Sequence, residues 1–111
     1  MAYAELSIDQ GSTFLSTVDL VADDGTPINL SGYTLASQIR KSYYSLNPTA
    51  NLTITVLNAA AGNVKISLDA ANTSNIRAGR YLYDIKMQSN IGVVTRIVEG
   101  IVTIYPQVTK N

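Results

Sequence analysis

The sequence predicts an all-β chain folded as a single antiparallel β-sandwich of about seven strands, on three observations. Apolar and polar residues alternate with a period of two, most cleanly in Leu52-Thr53-Ile54-Thr55-Val56 and Val64-Lys65-Ile66-Ser67-Leu68. Turn signals such as Asp23-Asp24-Gly25 and Ser31-Gly32 separate these runs, which recur at spacings of about 8–15 residues. Between them lies no long helical period, which a parallel sheet would need for its crossovers. Together these describe an immunoglobulin-like sandwich, one domain over residues 1–111.

In order, Leu6 and Ile8 alternate with Glu5, Ser7 and Asp9 in a first short strand, broken by Gln10-Gly11-Ser12. Thr13–Ala22 follows, with Phe14, Val18 and Leu20 on one face and Ser16 sharing it. Pro27–Leu30 is a short extended piece. A third strand, from Tyr33 to about Lys41, buries Leu35, Ser37 and Ile39. Ser42–Asn51 lacks clear alternation, and the two strands Leu52–Val56 and Val64–Leu68 come next, joined by Ala59–Asn63. Asp69 is placed to cap one helical turn, with Ile76 tucked inward.

Ala78–Gly100 reads as a long hairpin turning at Ser89–Gly92, with Tyr81, Tyr83, Ile85 and Met87 on its buried face. Its charges suggest a register in which Asp84 faces Arg96, Tyr83 faces Ile97, Ile85 faces Thr95 and Met87 faces Val93. The alternation changes phase near Glu99-Gly100, where a bulge is expected. Pro106 ends the last strand, and residues 106–111 read as a mobile tail.

Composition excludes several classes of function. Eight basic and eight acidic side chains cancel, so the chain lacks the basic footprint that phosphate binding requires, and no nucleic-acid partner is expected. Histidine, cysteine and tryptophan are absent, which removes disulfides, Cys/His zinc sites and the commonest general base. The N-terminus lacks the pattern of a signal peptide, and no apolar run reaches the length of a membrane helix, so no membrane partner is expected.

Candidate sites are few. Asp23-Asp24-Gly25 has no acidic partner at calcium-loop spacing and reads as a plain hairpin turn. Glu5, Asp9, Asp69, Asp84 and Glu99 are the acids available for a glycosidase pair, but all except Glu99 fall on outward strand positions or turns. Serine is plentiful without a histidine to activate it, and no glycine spacing suits a phosphate loop. Matches to the N-glycosylation pattern, as at Asn51-Leu52-Thr53, arise by chance in a chain rich in Asn, Ser and Thr. No enzyme, cofactor or metal is therefore expected. The one polar-aromatic cluster is Arg40, Lys41, Tyr43, Tyr44 and Leu46. It reads either as a protein interface anchored by tyrosine and arginine or as a loop folded back over the sandwich edge.

The order of short motifs adds a resemblance. Ile8-Asp9-Gln10-Gly11-Ser12-Thr13-Phe14, Asp24–Tyr33, Gln38–Tyr44, Ala78–Asp84 and Val94–Gly100 together resemble small immunoglobulin-like virion structural proteins of tailed bacteriophages. Gln38–Tyr44 looks especially like the cyanobacterial myophage type, and the whole is similar to the N-terminal domain of phage baseplate upper proteins. The resemblance implies a non-enzymatic virion protein, folded in the host cytoplasm before assembly. It would dock in multiple copies on other virion proteins, as a tail, baseplate or neck adaptor or a capsid decoration, and homo-oligomers are compatible with it. Those baseplate proteins carry a longer C-terminal part, whereas this chain stops after the sandwich. The alternative is a carbohydrate-binding or adhesin module, weakened by the missing tryptophan.

Overall fold

A computed structural model describes residues 2–22, 24–42 and 47–108. Its elements are β1 (Ala2–Tyr3), β2 (Leu6–Asp9), β3 (Phe14–Asp19), β4 (Thr34–Arg40), β5 (Ala50–Asn58), β6 (Asn63–Leu68), α1 (Ala70–Ser74), β7 (Gly79–Gln88) and β8 (Val94–Tyr105). The strand order β1-β8-β7-β4-β5-β6-β3, with β2 also on β8, forms two layers joined through β5. Residues Ala50 to Leu52 of β5 pair with β4, whereas Thr53 to Asn58 pair with β6. One strand thus passes from one layer to the other and closes that side of the sandwich.

Each strand buries the face its alternation marks. In β6, Val64, Ile66 and Leu68 point inward and meet Ile39, Tyr83, Ile85, Val102 and Ile104 of the facing layer in a single core. Burying each such aliphatic side chain stabilises the fold by about 1.5–3 kcal/mol. Pairing is antiparallel everywhere except at the N-terminus, where β1 and β2 run parallel to β8. Alternation reports which face a strand buries and carries no information on the direction of its neighbour. Ile8 enters the core level with Ile104 in this parallel ladder.

The hairpin register differs from the sequence reading. Asp84 lies opposite Glu99, Ile85 opposite Val98, Lys86 opposite Arg96 and Met87 opposite Thr95. The bulge falls between Ile85 and Lys86, at the level of Ile97, and not at Glu99-Gly100. Consecutive Ile97 and Val98 are both buried, and an extra residue is what allows two neighbours to face inward. The like charges Lys86 and Arg96 are tolerated because Arg96 turns away along the sheet. Its guanidinium reaches Asp84 Oδ2 at 3.6 Å and Glu99 Oε2 at 3.1 Å. Attraction acted through side-chain reach, so it did not set the backbone register.

Gly100 has another role from the one its sequence position suggests. A Cβ there would overlap the Ala4 carbonyl and press on the Tyr83 ring. It lets the N-terminal segment lie close against β8, where Ala4 N donates to Glu99 O at 3.0 Å. Tyr83 Oη then donates to Ala4 O at 2.7 Å and ties that segment to the middle of the sheet.

α1 is the single turn the sequence suggests, with Asp69 as its N-cap accepting from Asn72 N at 2.9 Å. Gln107, which the sequence places in the tail, is held to the body: its backbone N–H donates to Gln10 Oε1 at 3.2 Å.

Candidate protein–protein interface

Of the five residues in the polar-aromatic cluster, Arg40 and Lys41 are described, while Tyr43, Tyr44 and Leu46 lie outside the described residues. Arg40 ends β4 on the outer face of its sheet and donates to Gln38 Oε1 at 2.7 Å. Lys41 is exposed, with Nζ 4.8 Å from the centre of the Tyr81 ring, a cation–π arrangement. Tyr81 is fixed in turn by its hydroxyl, which donates to Arg77 O at 2.6 Å. Both cations therefore lean on the sandwich wall.

An open groove of about 390 Å³ runs from Arg40 across β4, β7 and β8, lined by Gln38, Leu82, Asp84, Lys86, Arg96 and Glu99. Asp84 and Glu99, two of the acids singled out in the sequence, meet here as register partners on the outer face. Their carboxylates both contact Arg96, so a cation bridges the pair at the groove wall. Among the described residues no three acidic side chains gather in a way that could hold a metal ion. Asp24, in the Asp-Asp-Gly turn, accepts from both Thr26 N at 3.0 Å and Thr26 Oγ1 at 2.7 Å. These hydrogen bonds lower its pKa below the usual carboxylate value. Burial pushes the Tyr83 phenol up to about 12, consistent with a hydroxyl that stays protonated to serve Ala4.

The opposite end of the sandwich holds what the sequence reading missed. At the tip of the β7–β8 hairpin Ile91, Val93 and Val94 are 82%, 56% and 55% exposed. Ser89 builds this turn: its carbonyl accepts from Gly92 N at 3.0 Å and its hydroxyl accepts from Val93 N at 3.1 Å. Gly92 supplies the left-handed φ of 90° that the turn requires. β4 begins and β5 ends at this same end, bringing exposed Tyr33, Val56 and Leu57 to it. A signal existed in Ser89-Asn90-Ile91-Gly92, where isoleucine stands among turn-forming residues with no core to enter. The register that set Val93 against Met87 concealed it.

No protein-family model and no curated protein sequence matches this chain. Among solved structures it is similar to the N-terminal domain of phage TP901-1 ORF48, with a TM-score of 0.61 and 11% identity over 94% of this chain and 97% of that one. Weaker likenesses include CopC from Methylosinus trichosporium OB3b, at a TM-score of 0.48 and 12% identity over 100% of this chain and 91% of that one. The Listeria monocytogenes internalin-like protein lmo2027 also has a TM-score of 0.48, at 18% identity over 93% of this chain and 28% of that one. At 11% identity the likeness to the phage domain establishes a shared β-sandwich fold and nothing finer.

Proposed function

We propose that the chain is a non-enzymatic structural module of a tailed-phage virion, held in the particle in multiple copies by protein–protein contacts. The observation that carries this reading is the match to a phage protein's N-terminal domain over nearly the full length of both. The ordered motifs from Ile8 to Gly100 point the same way independently of backbone shape. Zero net charge suits close packing among copies, because it leaves little repulsion between them. Within this reading the module serves as a tail, baseplate or neck adaptor, or as a capsid decoration. The bare apolar tip at Ile91, Val93 and Val94 and the Arg40–Leu46 segment are its two candidate docking surfaces.

Peptide mass spectrometry on density-purified particles, followed by assignment of the sandwich in the particle's reconstruction, tests the proposal. The chain should be recovered at a stoichiometry matching one of the particle's symmetric rings or shells. Its absence from intact particles, with abundant protein left in the infected-cell lysate, would overturn the virion reading.

A further inference from the structure

We infer that β3 is a self-pairing edge, at which two copies of this chain join antiparallel into one continuous sheet. Among the described residues, β3 pairs with β6 on one side and with no strand on the other. The cause lies at the N-terminus, where β1 and β2 add to β8 and leave the flank of β3 open. Leu20 N donates to Gly62 O at 2.7 Å, so even-numbered residues aim their backbone groups at β6. By alternation Leu15, Thr17 and Asp19 present theirs to the open side.

The other edges carry protection that β3 lacks. The β1–β2 edge is interrupted at Ala4-Glu5 and consists of two-residue and four-residue pieces. The outer run of β5 is bulged between Val56 and Asn58. β3 is six residues long, pairs with β6 without a register shift, and contains no proline, no lysine and no inward charge. An edge of this kind is a template for another strand. Its inward Phe14 and Val18 are also only partly buried, leaving apolar surface for a neighbour to cover.

The second copy is the occupant that fits. A two-fold axis at Ser16 sets Phe14 against Val18 of the other copy on the inner face, extending both cores. On the outer face it sets Leu15, 63% exposed, against Thr17, and Asp19 against Thr13, so that no like charges meet. In this register Leu15 and Thr17 exchange backbone hydrogen bonds across the axis, using the groups that point outward. Such an interface is isologous and closes at two copies.

The inference rests on edge geometry and not on the virion reading, and its test uses purified protein alone. Sedimentation equilibrium over a concentration series from micromolar to millimolar should show mass rising toward twice the 11.9 kDa of one chain. Thr17→Pro removes an outward N–H without touching a bond to β6, and should shift half-dimerisation at least tenfold upward in concentration. Ser16→Lys keeps every backbone group and places two cations face to face on the axis. It should have the same effect, and it serves if the proline variant loses its β-type circular dichroism. A wild-type mass that stays monomeric to millimolar concentration would overturn the inference. So would a dimer that a folded Ser16→Lys variant leaves unchanged.

Discussion

The α1 end of the sandwich and the tip of the β7–β8 hairpin are built on opposite plans. At the α1 end, loops far apart in sequence are fastened to one another by polar groups. Thr73 is fully buried, and its hydroxyl accepts from Gly11 N at 3.1 Å and donates to Ser12 O at 2.8 Å. Gln10 sends Nε2 to Ile76 O at 2.8 Å and receives Gln107 N on its other amide atom. At the hairpin end the turn is fastened only to itself, through Ser89, and its apolar side chains face water. A buried polar group costs free energy unless every partner is satisfied, so the first end is constrained by the fold. Exposed isoleucine and valine add little to folding, so the second end is available for something outside the chain.

Removing the polar fastening should break this contrast most strongly. Thr73→Val keeps the shape of the side chain but takes the hydroxyl partner from the part-buried Gly11 N–H and Ser12 carbonyl, and should cost about 2 kcal/mol of stability. Denaturant unfolding monitored by circular dichroism measures it. A loss below half a kcal/mol would mean that water replaces the hydroxyl and that the end is looser than its bonds suggest. Gln10→Ala, which removes two half-buried bonds, should cost about 1–2 kcal/mol by the same measurement.

Tyr83 sits between the two ends and sharpens the comparison, because its bond to Ala4 O anchors the N-terminal segment across the sheet. Tyr83→Phe should cost about 1 kcal/mol near neutral pH. The folded phenol titrates near 12, above the value of about 10 expected when unfolded. The stability contributed by the neutral phenol is therefore complete below pH of about 10 and is lost as pH rises toward 12. The gap between wild type and Tyr83→Phe should close across that window in paired unfolding curves. A gap that stays constant would place the cost in packing and not in the hydroxyl.

The difference between the ends also explains what could be read from the sequence. Strand positions and inward faces were legible at Val64–Leu68, Thr34–Arg40 and Gly79–Gln88, because each residue's burial follows from its immediate neighbours. The cap at Asp69 was legible for the same reason. The Gln10–Ile76 and Thr73–Ser12 bonds join residues more than 60 positions apart, and no local pattern encodes them. The hairpin register escaped because the like-charge argument counts against setting Lys86 opposite Arg96, two residues from the expected pairing, and the bulge at Ile97 adds one residue more. Of the candidate interface, Arg40 and Lys41 proved to lean on the sandwich wall. The exposed tip was hidden by placing Val93 in the core.

The smallest expected stability effect separates the two candidate docking surfaces. Ile91→Ser with Val93→Ser replaces exposed apolar groups without touching the Ser89 turn bonds, which run through the backbone of Val93 and Gly92. Unfolding free energy should change by less than about half a kcal/mol, as for surface positions generally. If the tip anchors the module on a neighbour, incorporation into particles should fall much further than stability, since buried anchors at an interface commonly carry about 2 kcal/mol or more. Tyr43→Ala with Tyr44→Ala is the matched variant for the Arg40–Leu46 segment. Reduced incorporation in the tip variant alone assigns docking to the hairpin, and reduction in the tyrosine variant alone assigns it to the Arg40–Leu46 segment. Normal incorporation of both, with both folded, would reject these two surfaces and leave the strand edges as the contacts that build the particle.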